Sequence, residues 1–302
     1  MPTYNFKKQT KLYVVRNGLR YLLDIYPDLS FSQTFNETNV PVKTLHSQFD
    51  MFEAAVITNA NPANFSFTSP ILQEGDMDVL FTLLRDYATV NNEATLNTAD
   101  LYVESNSEVY KLEKAVLESG TFQIVKDSPL TLSLSGTARK LSKFSGDIPG
   151  TLQPRTTRTH TAVTSLQVSV AGVVQPYITA VTVELKNNVQ WIEATTLQNS
   201  IGISDASGTM FPEAFVVGSR TLSGTIQQYI TDETNSNVNS WRNNTPVNIQ
   251  VTNTGSAWAL EFLVPSAVFT NRLEAQDVYI QSYDFRLSSN PVLTNVIKKR
   301  TI

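Results

Sequence analysis

The order of the predicted elements constrains the fold of this chain most, because the same series runs through both halves. In each half, stretches of alternating apolar and polar residues are typical of half-buried strands. A long polar excursion follows, and then more strands, a short helix and a last group of strands. The break between the halves is segment 142–160, which has two Gly, two Pro and no apolar periodicity. We interpret it as a linker or an exposed interface loop.

The individual elements follow from these patterns. In the first half, strands are predicted at 12–16, 21–26, 29–35, 54–58, 65–68, 101–104, 109–117, 121–125 and 130–140. A helix is predicted at 75–87, where Leu80, Phe81 and Leu84 share one stripe and Asp76 can cap the first turn. In the second half, strands are predicted at 165–170, 180–186, 189–193, 214–217, 220–230, 247–251, 257–264 and 278–287. A second helix, at 232–242, has a weaker stripe of Val238 and Trp241.

The fold class that these elements predict is mainly β. Two tandem domains, 1–141 and 161–302, each carry one short flanking helix and a long hairpin or loop. The length of 302 residues agrees with two domains of ~100–150 residues each. The polar excursions 36–48 and 195–209 are longer than most loops, so we expect them to contact neighbouring subunits.

Charge and composition exclude several function classes. Lys and Arg number 23 against 27 Asp and Glu, so with a net charge of −4 the chain as a whole has no electrostatic basis for gripping phosphate. The absence of cysteine removes disulfides, thiolate nucleophiles and cysteine metal ligands. The first residues form no apolar leader and no stretch approaches ~18 apolar residues, so we expect synthesis in the cytoplasm and no membrane span.

The candidate chemical groups do not converge on one site. His46 and His160 are far apart in polar loops, whereas a zinc site or a catalytic triad needs neighbouring partners. Asp76 and Asp78 fit the first turn of the predicted helix better than a Mg²⁺ site, because carboxylates there accept backbone N–H bonds. Asp205 is the only carboxylate in its turn-rich segment, which makes a poor calcium site. We expect no catalytic, metal or cofactor site and no enzyme activity.

Segment 211–229 carries a resemblance to a known family. Its sequence is Phe-Pro-Glu-Ala-Phe-Val-Val-Gly-Ser-Arg-Thr-Leu-Ser-Gly-Thr-Ile-Gln-Gln-Tyr. It resembles the part of bacteriophage major tail tube proteins in which a strand with Gly-x-Arg and an x-Ser/Thr-Gly-x-Ile step leads to a helix. The first half is similar through strand 65–70 and helix 75–87, but it lacks the Gly-x-Arg and Ser-Gly pair. Both halves together resemble siphophage-type tube proteins with two fused tail-tube domains.

This resemblance implies a β-sandwich in each domain and a structural role in the virion. It implies rings that stack into a hollow conduit for genome ejection, and two domains per chain imply trimers with pseudo-sixfold symmetry. The implied partners are further copies of the chain and other tail proteins such as the tape measure, terminator and tail tip. DNA would pass through the lumen without specific binding, and no membrane or cofactor is implied.

Two alternatives stay open beside the tail tube. The first is a ring-forming tail-tip, distal or terminator protein built on the same domain. The second is a receptor- or carbohydrate-binding β-sandwich, for which Trp191, Trp241 and Trp258 supply aromatic faces. A metal-independent hydrolase is disfavoured, because the sequence shows no convergent site.

Charged residues provide the candidate assembly positions. Glu184 and Asp284 lie on alternating strands opposite apolar positions, so we expect them to face an acidic lumen. Basic residues crowd both termini, and we expect an arm that contacts the adjacent ring, although a nucleic-acid arm explains the same charges. The arm residues are Lys7, Lys8, Lys11, Lys298, Lys299 and Arg300.

Overall fold

The structure is a computed structural model that describes most of the chain. The described residues are 9–38, 56–71, 75–90, 93–106, 108–125, 128–154, 165–192, 210–231, 244–252, 258–274 and 279–301. Nearly all regular elements in these ranges are strands, which confirms the predicted mainly β fold. Within the same ranges, no helix is long and apolar enough to cross a membrane.

The strands follow the two halves of the chain. Those of the first half are β1 Lys11–Arg16, β2 Leu19–Leu23, β3 Ser30–Ser32, β4 Phe35–Thr38, β5 Val56–Ala60, β6 Ala63–Pro70, β7 Tyr87–Val90, β8 Glu93–Leu96, β9 Ala99–Ser105, β10 Glu108–Val125, β11 Thr131–Ala138 and β12 Lys140–Phe144. The remaining strands are β13 Thr151–Leu152, β14 Ser165–Val170, β15 Val173–Val174, β16 Ile178–Ile192, β17 Ala214–Tyr229, β18 Thr245–Thr252, β19 Trp258–Glu274, β20 Ile280–Leu287 and β21 Ile297–Thr301. The helices are α1 Gly75–Arg85 and α2 Leu293–Val296.

Three pairs of predicted short strands are continuous in the structure. The pairs are 109–117 with 121–125 in β10, 180–186 with 189–193 in β16, and 214–217 with 220–230 in β17. The register shifts near two of the predicted breaks, between Leu117 and Ser119 in β10 and between Asn187 and Val189 in β16. A β-bulge absorbs an extra residue without ending a strand. A polar or Gly residue can therefore interrupt the alternation without marking a turn.

Other predicted boundaries differ less. The predicted strand 130–140 is divided into β11 and β12, and the predicted helix 75–87 ends at Arg85, after which Tyr87 begins β7. The other predicted strands overlap observed ones. Several short elements were not predicted: the helix α2, which is a single turn, and the strand β21, whose basic residues do not alternate with apolar ones. The short strands β7, β8, β13 and β15 were not predicted either.

Eight strands lie side by side in one antiparallel sheet that contains both halves of the chain. Their order is β3–β6–β11–β10 from the first half, followed by β16–β17–β20–β19 from the second. The halves join between β10 and β16, where Thr121 lies opposite Glu184 and Phe122 opposite Val183. Every further strand pair adds a new strand, so the sheet branches but does not close on itself in the described part of the chain.

The strand pairings of the first half recur in the second. The first part of β10 pairs with β9 and β12, and β9 continues to β1 and β2. The first part of β19 likewise pairs with β18 and β21, and β18 continues to β14 and β15. The order of the observed strands therefore repeats, whereas the division into domains 1–141 and 161–302 stays a prediction.

One hydrophobic core spans both halves of the chain. Phe122 of β10 is fully buried next to the junction of the halves. Its ring centre lies 5.8 Å from that of Phe81 in α1 and 5.1 Å from that of Phe262 in β19. The helix α1 packs against β10, and Leu84 lies so close to Gly120 that any larger residue there would clash with it. Helix and strands thus cover the apolar face of the eight-stranded sheet.

Several predicted features lie outside the described residues. They are most of excursion 36–48, the whole of excursion 195–209, the helix 232–242, and the histidines His46 and His160. Strands β4 and β5 pair beside the first excursion, and the outer parts of β16 and β17 pair beside the second. In the predicted linker 142–160, residues 142–144 belong to β12, and β13 pairs with β2 in parallel.

Replacing Phe122 with Ala should destabilise both halves together, because the Phe122 ring contacts an aromatic side chain from each. Truncating a core Phe to Ala costs about 3–5 kcal/mol. We expect urea unfolding, followed by circular dichroism, to show one transition with the free energy of unfolding lowered by that amount. The control is Val125→Ala on the exposed end of the same strand, with a loss under about 0.5 kcal/mol. Two separate transitions in the unmodified chain would contradict a shared core.

Candidate assembly surface

One face of the eight-stranded sheet is rich in hydroxyl groups, and we call it the hydroxyl face. Residues directly opposite each other in antiparallel strands point to the same side of a sheet. One row across this face consists of Thr68, Ser133, Thr121, Glu184, Ser223 and Arg286. The next row consists of Gln123, Thr182, Thr225, Asp284 and Thr270. Alternate residues of the same strands, such as Phe67, Phe122 and Val183, are buried on the other side.

The structure brings Glu184 and Asp284 together on the hydroxyl face. Both line a shallow groove of about 490 Å³, which Arg286 also borders. Thr225 donates a hydrogen bond to Asp284 Oδ1 at 2.7 Å, and Lys186 Nζ lies 3.1 Å from Glu184 Oε1. Lys186 pairs with Glu184, and Arg286 borders the same groove as Asp284, so this face carries both signs of charge. The lumen position of the two acids and the acidic character of the lumen stay predictions.

Arg220 attaches the second half of the chain to helix α1 of the first. Its Nη2 donates to the main-chain oxygens of Leu84 and Arg85, both at 2.9 Å, and its Nε donates to Asn187 Oδ1 at 2.6 Å. The guanidinium carbon also lies 4.5 Å from the centre of the Tyr87 ring. Carbonyl groups in the last turn of a helix have no partner within it, and the helix dipole favours a cation there. The end of α1 is therefore a binding site for this guanidinium.

Asn187 completes the contact between the two halves. Its Nδ2 donates to the main-chain oxygens of Leu84 at 3.1 Å and Leu117 at 2.9 Å. Burial lowers the pKa of Arg220 from its ordinary value, and a hydrogen bond to Tyr87 opposes that shift. Because a guanidinium stays charged in proteins, this is a largely buried cation whose Nε and Nη2 donate to oxygen atoms.

Arg220 is the Arg of the Gly-x-Arg motif on which the family resemblance partly rests. The motif is visible in the sequence, but this role is not. The partner atoms of Arg220 belong to α1, more than a hundred residues earlier in the chain. No local spacing signal connects the two, so only the folded chain shows the contact.

The end of the connection between β16 and β17, just before β17 begins, contacts the first half of the chain. Arg139 Nε donates to the main-chain oxygen of Pro212 at 3.0 Å. The Lys140 ammonium lies 4.4 Å from the ring centre of Phe211, within the range of a cation–π contact. These contacts hold the start of β17 beside the strands that end the first half.

Of the three tryptophans, only Trp191 has a described side chain. Trp191 Nε1 donates to Thr137 Oγ1 at 2.8 Å, and its ring centre lies 5.2 Å from that of Phe215. The indole of Trp191 therefore takes part in the contact between the halves. The side chains of Trp241 and Trp258 lie outside the described residues.

The predicted basic arm is a paired strand where the structure describes it. Strand β21 pairs with β19 of the same chain and contains Lys298, Lys299 and Arg300. Lys299 Nζ lies 3.3 Å from Asp78 Oδ1 on α1, and Lys11 Nζ lies 3.4 Å from Glu104 Oε2. The C-terminal part of the predicted arm is therefore a strand whose backbone pairs with β19 of the same chain. Lys7 and Lys8 lie outside the described residues, and a contact with an adjacent ring stays a prediction.

No metal site is visible in the ranges that the structure covers. Among those residues, no group of three or more His, Cys, Asp or Glu side chains is arranged to hold a metal ion. Asp78 is exposed on α1 and lies beside Lys299. The side chain of Asp76 and the whole of Asp205 lie outside the description.

Comparison with known proteins identifies a family. A family model described as the Bacteriophage Baseplate Tube Protein Family matches residues 2–299, which is nearly the whole chain. The matched span includes both repeats of the strand order and the Gly-x-Arg segment. No curated protein matches the chain. The resemblance is confirmed at the level of a phage tail or baseplate tube protein, whereas the siphophage major tail tube stays a prediction.

Replacing Arg220 with Lys should weaken the contact with α1 although the charge is kept, because lysine lacks the planar fork that reaches several oxygens at once. Hydrogen bonds to charged groups contribute about 1.5–3 kcal/mol, and we expect urea denaturation to show a loss of that size. Arg286→Lys, at an exposed position of the hydroxyl face, is the matched control and should change little. Equal stabilities of the two variants would contradict the role given to Arg220.

Proposed function

Because the chain belongs to the bacteriophage baseplate tube protein family, we propose that three copies form a ring in the wall of a phage tail tube. The chain is a structural component of the phage tail, and the proposal concerns how it assembles. Copies join through the two edges of the eight-stranded sheet. Rings then stack into a hollow conduit for the genome.

The pair of open sheet edges is the observation that carries this proposal. In the described part of the chain, β3 pairs only with β6, and the last part of β19 pairs only with β20. An open edge exposes unpaired backbone groups and invites uncontrolled aggregation unless another strand covers it. The two edges differ, so one copy can present β19 to the β3 edge of the next. Such head-to-tail contacts form a closed ring when the rotation between copies is right.

Three chains per ring follow from the internal repeat. Each chain supplies two units of four strands, and three chains supply six units, the number that the tail-tube resemblance implies. Twenty-four strands about 4.8 Å apart give a wall about 37 Å across at the backbone, before strand tilt widens it. Side chains take about 5 Å from each side, half the spacing of packed sheets. The remaining ~27 Å leaves room for one DNA duplex between the side chains.

The hydroxyl face is the side that would line the lumen. Helix α1 and the first part of β19 already cover the apolar face around Phe122. A wall of Ser and Thr hydroxyls with paired charges offers no run of cations for phosphate, and phosphate contacts dominate nonspecific DNA binding. DNA would therefore pass through without being held. No step of this function requires catalysis, so we propose that the protein is not an enzyme.

The partners that fit this proposal are further copies of the chain and other tail proteins such as the tape measure, terminator and tail tip. A baseplate or tail-end ring on the same fold is the second candidate, and the name of the matching family favours it. A stack of many rings distinguishes a tube from a single ring at the tail end. The virion is the location that both candidates share.

Electron microscopy of the purified protein at rising concentration tests the proposed assembly. We expect closed rings or tubes with three chains per ring, because both open edges are then covered. A strictly monomeric species in sedimentation at high concentration would contradict the assembly. Six chains per ring would contradict the trimer but leave the tube. A glycan array should show no binding, since a positive result would favour the carbohydrate-binding alternative.

Reversing the charge of Glu184 and Asp284 should make the lumen attract DNA. With Lys at both positions the hydroxyl face gains cations, so we expect assembled rings to bind DNA in a salt-dependent way and virions to eject their genome more slowly. Asp147→Lys, in the exposed loop between β12 and β13, makes the same change of charge as either single variant, Glu184→Lys or Asp284→Lys, and it should bind less DNA than each of them. Equal binding by the Asp147 variant and the lumen variants would contradict the proposed lining.

A further inference from the structure

The junction between β10 and β16 is a template for the contact between two copies of the chain. The two strands pair antiparallel over 119–125 and 180–186, and they join the last sheet strand of one repeat to the first sheet strand of the next. In the recurring pattern, β19 corresponds to β10 and β3 corresponds to β16. A β19–β3 pair is not present within one chain in the described residues, and in the proposed ring it would form between copies.

A shared irregularity aligns β10 with β19. An extra residue is accommodated between Leu112 and Ala115 of β10, opposite β9. The same irregularity occurs between Val264 and Ala267 of β19, opposite β18. Bulges re-aim a strand at a particular position. Both bulges lie where the strand stops pairing with β9 or β18 and begins to pair within the eight-stranded sheet. Ala115 therefore corresponds to Ala267.

The alignment continues to the ends of the two strands. Beyond its alanine, β10 contains a second extra residue between Leu117 and Ser119, whereas β19 pairs with β20 without a shift. The position six residues after Ala115 in β10 thus corresponds to the position five residues after Ala267 in β19. Thr121 therefore corresponds to Arg272. The neighbouring strands agree, because a serine lies opposite each of these two residues.

Rows across the hydroxyl face align β3 with β16. In the first repeat, one row consists of Ser135, Ser66 and Ser30. In the second repeat, the equivalent row consists of Asp284, Thr225 and Thr182. Ser30 therefore corresponds to Thr182, and Ser32 corresponds to Glu184.

These correspondences determine the contact. Within the chain, Thr121 lies opposite Glu184. We propose that Arg272 of one copy lies opposite Ser32 of the next, with Leu273 opposite Phe31 and Glu274 opposite Ser30. This register rests on the proposed ring. It pairs the three residues of β3 with the last three residues of β19. The start of β3 at Ser30 then lies opposite the end of β19 at Glu274.

The residues at this contact suit an edge that is open in the single chain and closed in the ring. Arg272 and Ser32 are exposed in the single chain. A charged residue on an edge strand discourages random strand pairing. The internal junction, which is never open in the folded chain, has the uncharged Thr121 at the equivalent position. Pairing would continue the row of Arg272 and Ser282 into the next copy, and Ser282 is buried already in the single chain.

Engineered cysteine pairs test the register, because the chain contains no cysteine of its own. Arg272→Cys combined with Ser32→Cys, assembled and then mildly oxidised, should give covalent species of up to three chains on non-reducing gels. Thr121→Cys with Glu184→Cys is the matched control, since it places cysteines at the equivalent positions inside one chain. It should cross-link within single chains whether or not rings form.

An off-register pair makes the test specific. Arg272→Cys with Ser30→Cys places the cysteines on a diagonal of about 7–8 Å, which exceeds the ~7 Å limit between Cα atoms for a disulfide. We expect little cross-linking from this pair. Rings that cross-link through position 30 instead of 32 would overturn the register and leave the proposed function standing. A failure to form rings would contradict the proposed function instead.

Direct imaging of the assembled ring completes the test. If the internal control cross-links poorly, a cryo-electron microscopy map of the ring reads the register from the backbone. The expected result is β3 of one copy beside residues 272–274 of another, in the antiparallel register stated above. Either edge paired with a different segment, or with another register, would overturn the inference.

Discussion

Backbone pairing between β10 and β16 is the interaction on which the rest of the structure depends. It merges four strands from each half into one eight-stranded sheet, and it places Phe122 where aromatic rings from both halves can cover it. The same pairing brings Arg220 of the second half against the last carbonyl groups of α1 in the first. Hydrogen-bonded strands, a shared core and a buried cation therefore stabilise one junction together.

This junction also explains why the two repeats differ in sequence. Because Thr225 corresponds to Ser66, Arg220 corresponds to Asn61, five residues earlier in each repeat. The Asn61 side chain donates instead to the nearby Thr34 and Asn36 side chains. An arginine is needed where a helix of the preceding repeat ends within reach. In the proposed ring, the repeat that precedes the first half belongs to another copy of the chain. The arginine of the Gly-x-Arg motif thus contributes to the internal junction.

Fusing two repeats in one chain changes the energetics of a ring. Association of separate chains costs several kcal/mol of translational and rotational free energy at each contact, about 4–15 by different estimates. In a ring of six units made from three chains, half of the junctions are the internal β10–β16 pairs. These form when each chain folds, so they involve no loss of translational and rotational freedom of separate chains. In the proposed ring, the remaining junctions use the edges β3 and β19.

The sequence by itself determined the two-sided character of the strands, because alternation is local and each residue's side of a strand follows from its position. It therefore predicted the mainly β fold, the helix stripe with Leu80, Phe81 and Leu84, and a common orientation for Glu184 and Asp284. Only the tertiary structure decided which strands are neighbours, that bulges continue strands through apparent breaks, and that the basic C-terminal residues pair with β19. It also supplied Arg220 with its partner and Glu184 with its compensating lysine. Strand pairing and buried polar contacts join residues far apart in the chain, and no spacing within a segment records them.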